Sequence, residues 1–344
     1  SGNLQDRDEY YYMPSFQVPV SSNVVARGSY RNSWVSYSEG DLTGRKGDAE
    51  NRGADFTVDN YRRGRGLTWA LRYNWQKSIY DEYLPWEYQR AAAELGFWAG
   101  SSLRLFASGG RESPWDDPLN PELTDPFWEV GFAYGNGERL QLEFAAGERS
   151  FGSSWRGNVN FNFRRGSINL SYAETPTTQS FEQFRSFEYQ AADDVQDSDT
   201  QKDLLSRPGT AERYVSKSLQ LRMSIELSRS TLTFGVFDTE RSDRTTASGE
   251  SLPNETQRGF NASLTYRLGA KTDLRASGSW AEREFGVEEG PRVLIRGTAA
   301  ADYRLGARTT LSLTYEYAEE DSKENSIGIE YVANTATLLL TRTF

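Results

Sequence analysis

The sequence has no cysteine and no histidine in 344 residues. Without cysteine there are no disulfides and no thiolate metal sites. Without histidine, the commonest general base and metal ligand is missing. No apolar run approaches the roughly 20 residues that a membrane-spanning helix needs. These absences exclude a disulfide scaffold, a thiolate zinc site and a helical membrane protein, and they predict no metal and no other cofactor.

The chain is acidic and rich in aromatic residues. Its formal net charge is -10, which argues against a nucleic-acid partner. Only 37% of the residues are hydrophobic, yet 13% are aromatic, with 19 Tyr, 18 Phe and 9 Trp. A disordered chain lacks aromatic residues on this scale. The composition therefore predicts a folded protein whose apolar residues are dispersed along the chain.

Apolar and polar residues alternate with a period of two. In "LTWALRYNWQ", Leu67 and Trp69 fall on one face of a strand, and Thr68 and Arg72 fall on the other. The stretches "GNVNFNFRRGSINLSY" and "VSKSLQLRMSIEL" repeat the pattern. A soluble β-sandwich also alternates in this way. However, these strands run for about ten to fourteen residues, longer than typical sandwich strands, and often carry aromatic residues near one end, which favours a transmembrane β-barrel.

The connectors between strands alternate between short and long, as the periplasmic turns and external loops of outer-membrane barrels do. Short connectors are predicted at 62–66, 99–102, 135–138, 164–167, 228–231, 267–272 and 304–309. Long polar connectors are predicted at 39–52, 78–86, 112–126, 177–212, 241–257 and 285–290. The prediction is one all-β domain, an antiparallel outer-membrane barrel over 26–344 with a long acidic loop at 177–212. Residues 1–25 are expected to form a periplasmic lead-in or a partial plug.

Sixteen strands are predicted from about Gly28 onward. The stretch "MPSFQVPVSS" could itself form a strand, and together with one further strand it would raise the number to eighteen. A single-chain bacterial barrel normally has an even number of strands. The last stretch, "TATLLLTRTF", alternates and ends in Phe344. A terminal strand of this kind is typical of outer-membrane barrels, so Phe344 is predicted to be the signal that the barrel-assembly machinery reads.

A family resemblance covers about two thirds of the chain, from Phe127 to Phe344. It rests on "FWEVGFAYGNGERLQLEFAAGERSFGSSW", "FNFRRGSINLSYAETPTT", "RYVSKSLQLRMSIELSRSTLTFGVF" and "YRLGAKTDLRASGSW". In these segments the chain resembles the PEP-CTERM-system-associated outer-membrane proteins, which are found beside exopolysaccharide biosynthesis genes. The resemblance implies a bacterial outer-membrane location, surrounding lipid and a role in polymer export. It supplies no catalytic residues.

The polar parity of each strand predicts which residues line the lumen. The twelve arginines on this parity are Arg72, Arg90, Arg104, Arg139, Arg156, Arg164, Arg222, Arg267, Arg275, Arg283, Arg296 and Arg304. The acids predicted to face them are Glu94, Glu129, Glu143, Glu226, Asp302, Glu316 and Glu330. Arginine binds carboxylates and other oxyanions with a planar fork, so these side chains either select anions or brace the wall. Tyr88 and Trp98 share the parity, where they either stack on sugar rings or pack the interior.

Two functional hypotheses follow, and neither is an enzyme. The first is a conduit that exports an exopolysaccharide, expected to be anionic, with periplasmic partners. The second is a structural or docking barrel that holds a partner secretion component and does not conduct. A carboxylate pair such as Glu129 with Glu143 would suit glycoside cleavage, but their spacing is that of ordinary wall residues.

Overall fold

The computed structural model describes residues 7–37, 48–60, 66–81, 85–114, 122–135, 139–178, 181, 212–245, 251–285, 289–306, 308–322 and 331–342. These residues form one sheet of eighteen strands. The first nine are β1 (Arg7–Tyr12), β2 (Ser15–Ser21), β3 (Val24–Tyr37), β4 (Ala49–Asp59), β5 (Leu67–Tyr80), β6 (Trp86–Ala99), β7 (Leu103–Glu112), β8 (Asp125–Gly135) and β9 (Leu140–Arg149).

The other nine strands complete the sheet. They are β10 (Gly152–Phe163), β11 (Gly166–Thr178), β12 (Arg213–Glu226), β13 (Ser230–Thr245), β14 (Glu255–Arg267), β15 (Thr272–Phe285), β16 (Glu289–Gly306), β17 (Thr309–Ser322) and β18 (Tyr331–Arg342). From β3 onward each strand pairs antiparallel with the next. The all-β, antiparallel prediction is confirmed. No helix in the described ranges is long and apolar enough to cross a membrane.

The predicted lead-in at 1–25 is wrong for residues 7–21. These residues form β1 and β2, which pair with successive stretches of the same edge of β3. A two-residue turn at Ser22 and Asn23 connects β2 to β3. Met13 and Pro14 separate β1 from β2. At this break the Tyr30 amide of β3 still donates to the Pro14 carbonyl at 3.0 Å. The stretch "MPSFQVPVSS" therefore contains β2, and sixteen further strands run from β3 to β18.

The sheet buries its polar face and exposes its apolar face. On β5, Leu67 and Leu71 are 62% and 53% exposed, whereas Thr68 and Ser78 are 1% and 0% exposed. A water-soluble protein distributes these residue types the opposite way, and monomeric soluble proteins rarely expose a continuous apolar surface of this extent. The predicted parity is confirmed on this strand, and the polar face is the inner face of a curved sheet.

The same parity holds on the other side of the sheet. Cross-strand pairing places Leu170, Leu221, Val236, Phe260 and Trp280 in one continuous row on the outer face. Neighbouring positions on the inner face carry polar cross-strand pairs, namely Asn169 with Arg222 and Ser171 with Gln220 between β11 and β12, and Asn261 with Ser279 between β14 and β15. Local alternation therefore sets the orientation of these strands relative to one shared interior.

Ion pairs mark the limit of the apolar outer surface on the side of the long connectors. On β5 the outer residues from Leu67 to Trp75 are apolar, a span of roughly 27 Å along the strand. Beyond them Lys77 pairs with Glu87 at 2.8 Å. On β14 and β15, Arg258 pairs with Glu282 at 2.7 Å, next to the Phe260 row. Allowing for strand tilt, the apolar zone approaches the roughly 25 Å band of an outer-membrane barrel.

The strands extend further toward the long connectors than the sequence predicts. β7 continues to Glu112, β13 continues to Thr245 and β14 begins at Glu255. Residues 112–126 and 241–257 were expected to be loops. Because these strand ends are polar on both faces, their alternation of apolar and polar residues is lost, although their backbone pairing continues.

Candidate functional site

Most of the predicted arginines lie on the inner face, where carboxylates hold them. Arg90 donates to Glu129 at 2.9 Å, and Arg156 contacts both Glu129 and Glu143. The two carboxylates considered for glycoside cleavage are thus joined through one guanidinium. This network links β6, β8, β9 and β10 across the inner wall, and it supports the bracing role that the sequence left open.

A second network lies nearer the short turns on β5, β6 and β7. Glu94 is nearly inaccessible and receives Arg72 at 2.7 Å and Arg104 at 3.0 Å. The Arg104 guanidinium also lies 4.9 Å from the centre of the Phe106 ring. Only Arg72 is open to the interior, with 39% of its side chain exposed. Seen from the interior, the Glu94 carboxylate therefore lies behind the Arg72 guanidinium.

The other side of the sheet repeats this arrangement. Arg275 pairs with Asp302, with side chains 46% and 19% exposed, and Arg304 pairs with Asp273, with side chains 56% and 24% exposed. Arg267 also approaches Asp273, at 3.6 Å. In each pair the arginine is more accessible than the acid, so a solute in the interior meets the guanidinium first.

Acids that sequence reasoning assigned to loops complete the interior charge. Glu255 is 1% exposed and contacts Arg283 at 2.6 Å and Arg241 at 3.2 Å, with Arg244 at 3.5 Å. Glu112 is fully buried and accepts from Arg149 at 2.9 Å. Neither acid was counted as lumenal, because both lie at strand ends taken for loops. The same strand ends also bring Arg149, Arg241 and Arg244 to the interior, so these two acids do not make it less positive than the sequence predicted.

Two of the predicted arginines lie in short turns rather than on a strand of the wall. The Arg139 guanidinium lies 5.9 Å from the centre of the Phe161 ring, on the outer face. Arg164 lies in the turn between β10 and β11, where it lines a surface cavity together with Arg139, Asn162 and Phe163. Parity failed for these two because it applies only within a strand, and both residues lie outside one. Arg222 and Arg296 occupy inner positions of β12 and β16, as predicted.

Tyr88 and Trp98 both lie on the inner parity of β6. Tyr88 is 3% exposed, donates to Glu112 at 2.6 Å and accepts from Arg149 at 2.7 Å. Its ring is nearly parallel to that of Trp86, with an interplanar angle of 4° and a centroid distance of 6.0 Å. Trp98 pairs across the sheet with Arg104. Trp86 was missed because the sequence placed residue 86 in a connector.

One contact crosses the interior at the end where the long connectors lie. The Thr178 hydroxyl, at the end of β11, lies 3.0 Å from the Ser78 hydroxyl on β5. Six strand spacings separate these strands along the wall, about 29 Å, so the contact spans the interior. Phe181 is fully buried, its amide donates to Thr178, and its ring lies 5.7 Å from the Arg31 guanidinium. We call Thr178 with Phe181 the crossing segment.

Parts of the predicted site fall outside the described residues. One of them is Phe344. The others belong to the predicted loop at 177–212, of which only Thr177, Thr178, Phe181 and Glu212 are described. On β18, Leu338 and Leu340 pair with Leu313 and Leu311 on the outer face of β17, which places both on the outer parity. Within the described ranges, no group of three or more metal-ligating side chains converges.

Comparisons with known proteins give no family. No family model and no curated protein sequence matches the chain. Among solved structures, the chain is similar to the in-vitro folded outer-membrane protein OmpT of Vibrio cholerae, with 10% identity, a TM-score of 0.34 and coverage of 97% of this chain and 95% of that one. It is also similar to an anion-selective porin from Comamonas acidovorans (11%, 0.34, 95% and 95%) and to a bacterial polysaccharide outer membrane secretin (11%, 0.36, 86% and 91%). At these scores the likenesses carry no functional argument.

Proposed function

We propose that the sheet closes into a barrel in the bacterial outer membrane and serves as a conduit for exopolysaccharide export. The observation that carries the barrel conduit is the inverted burial, with an apolar outer surface about as tall as the membrane and a polar, charged interior. Exopolysaccharide as the cargo is what the family resemblance implies. Lipid surrounds the outer face, and the terminal strand ending in Phe344 recruits the barrel-assembly machinery. Periplasmic export components deliver the polymer to the end with short turns. The protein acts without catalysis.

The polymer is proposed to be anionic because of the way the inner ion pairs are layered. Arg72 and Arg275 are exposed to the interior, whereas their acids Glu94 and Asp302 are more deeply buried. A polymer carboxylate or sulfate entering the interior reaches the guanidinium at contact range. The acidic residues outside the barrel act through water and salt, which screen charges beyond roughly 8–10 Å. The interior thus favours anions despite the net charge of -10.

Ion selectivity in planar bilayers tests this proposal. The chain should conduct and prefer anions at low salt, and the replacement of Arg72, Arg222 and Arg275 by Gln should reduce or reverse the preference. The control replaces Arg52, Lys77 and Arg258 by Gln, which removes the same charge from the outer face. Cation selectivity of the parent, or an equal shift in both triple variants, would contradict the anionic conduit.

A second candidate is a docking barrel that holds a partner component and does not conduct. It is favoured by the crossing segment and by the buried cluster of Tyr88, Glu112 and Arg149, which fill part of the interior at the same end. Absence of any conductance, in the parent and in a Thr178→Ala/Phe181→Ala variant alike, would replace the conduit by this function.

A further inference from the structure

A row of uncharged polar side chains lies beneath the crossing segment. Cross-strand pairing aligns Ser33, Asn51 and Ser78 on the inner faces of β3, β4 and β5, and pairs Ser78 with Trp86 on β6. In the next row Gln76 pairs with Tyr88. We call Ser33, Asn51, Gln76 and Ser78, with the rings of Trp86 and Tyr88, the neutral cluster. It spans four strands, about 14 Å.

The neutral cluster has hydrogen-bonding capacity that its own wall does not use. Ser33 is fully buried and Gln76 is 5% exposed. In the part of the chain that the structure describes, the Ser33 hydroxyl and the Gln76 side-chain oxygen have no hydrogen-bond partner. A buried polar group without a partner is destabilising, so this wall is costly to keep unless a ligand satisfies it.

The crossing segment already makes the kind of contact that such a ligand would make. The Thr178 hydroxyl bonds to Ser78, which also donates to the Asn51 side-chain oxygen at 2.8 Å. The secondary hydroxyl of Thr178 is thus held by Ser78, which is itself bonded to the Asn51 amide. Ser78 pairs across the sheet with Trp86, whose ring is parallel to that of Tyr88. Ring hydroxyls of a sugar have the same donor and acceptor character, and the C–H face of a sugar packs on aromatic rings.

From this arrangement we infer that the neutral cluster is a saccharide-binding site that the crossing segment occupies in the resting protein. This inference rests on the proposed conduit function and adds the chemistry recognised at its constriction. The site reads sugar hydroxyls rather than charge, because its hydrogen-bonding groups are amides and hydroxyls. An arriving chain displaces Thr178 from Ser78, moves Phe181 from Arg31, and satisfies Ser33 and Gln76.

Oligosaccharide block of the ion current tests the site. The crossing segment is released by the double change Thr178→Ala/Phe181→Ala, and maltohexaose (neutral) and a mannuronate hexamer (anionic) serve as probes. Both should block the released variant at concentrations at least tenfold lower than the parent requires. Adding Ser33→Ala and Gln76→Leu should then weaken block by both probes about tenfold or more, since each lost hydrogen bond contributes up to about tenfold.

The matched control adds Ser218→Ala and Gln220→Leu to the released variant. These residues bond to each other on the inner face of β12, away from the neutral cluster. Block should be unchanged in this control. Equal losses in the two variants, or conduction without any oligosaccharide block, would overturn the site while leaving the conduit intact.

A fluorescence titration separates failure of the site from failure of the conduit. If the released variant does not conduct, the folded protein in detergent is titrated with the same two probes, and a Trp86→Phe variant assigns the signal. Saturable binding that is lost with Ser33→Ala/Gln76→Leu supports the site and counts against the conduit alone. No binding in the released variant overturns the site.

Discussion

Single residues decide how charge is presented in the interior. Glu94, Glu112 and Glu255 are almost completely buried, and each one holds arginines from neighbouring strands. Breaking a buried ion pair leaves an uncompensated charge and is strongly destabilising. These acids therefore brace the wall, while exposed partners such as Arg72 keep their guanidinium groups available to solutes. The bracing role and the proposed anion-selecting role are therefore compatible within one ion pair.

The two faces of one strand should respond differently to the same charge. Leu221 lies on the outer face of β12 within the apolar row, and Gln220 lies on the exposed inner face. Leu221→Arg should cost roughly 2–4 kcal/mol, the penalty for a charge near the bilayer midplane, whereas Gln220→Arg should cost much less because its environment is wet. The folded fraction in a urea titration of the protein in lipid vesicles measures both. Equal losses would contradict a lipid-facing outer surface.

Phe161 shows why position along a strand matters as much as parity. It lies on the outer face as predicted, but only two residues before the end of β10. Its ring contacts Phe163, with a centroid distance of 6.0 Å, and lies beneath the Arg139 guanidinium. A cation at this depth is characteristic of the membrane interface, where long basic side chains reach the headgroups. Phe161 therefore belongs to an aromatic girdle, and Leu221 is the better probe of the bilayer interior.

At the scale of elements, one glycine on β3 receives an aromatic ring from β2, in addition to the backbone pairing of the two strands. Phe16 on β2 pairs with Gly28 on β3, and a Cβ atom at Gly28 would lie 2.4 Å from the Phe16 ring. An aromatic ring over a cross-strand glycine compensates for the missing side chain. The contact fixes β2 even though all seven of its residues are exposed.

Gly28→Ala should therefore loosen β2, although alanine normally stabilises a strand relative to glycine. Gly278→Ala on β15 is the control, because its nearest neighbour to a new Cβ is 3.8 Å away. Limited proteolysis of the folded protein should release residues before Val24 faster in the first variant and at the parental rate in the second. If both variants resist protease like the parent, the Phe16 contact does not hold the strand.

At the scale of the whole molecule, the connectors give the sheet a direction in the membrane. The long connectors, the neutral cluster and the buried acids Glu112 and Glu255 lie at one end, and the short turns lie at the other. Outer-membrane barrels place long loops outside the cell and short turns in the periplasm. The neutral cluster and the crossing segment would then lie at the external mouth, where an exported chain leaves.

Cysteine labelling tests this direction without interference, because the chain has no cysteine of its own. Asp81 follows β5 at the end with the long connectors, and Lys271 lies in the short turn before β15. In intact cells a membrane-impermeant maleimide should label Asp81→Cys and spare Lys271→Cys, and both should react after the outer membrane is permeabilised. The reverse pattern would invert the molecule and move the neutral cluster to the periplasmic side.

The sixteen strands from β3 to β18, their parity and therefore the two faces of the sheet could be predicted from the sequence. Alternation is a local property, because successive side chains of a strand point to opposite sides whatever their partners are. Leu67, Leu219 and Leu274 are consequently on the outer face, and Arg72, Arg222 and Arg275 are on the inner face, as predicted. The proposal of exopolysaccharide as cargo still rests on the family resemblance.

Which residues meet across the interior, and where the strands end, depends on how the strands are arranged in three dimensions. Ser78 and Thr178 are one hundred residues apart and touch because the sheet curves back on itself, which no local pattern encodes. The strand ends near Glu112 and Glu255 carry no alternation, so their extent depends on cross-strand pairing alone. The first strands were misassigned for the same reason: β1 and β2 are defined by the edge of β3 to which they bond.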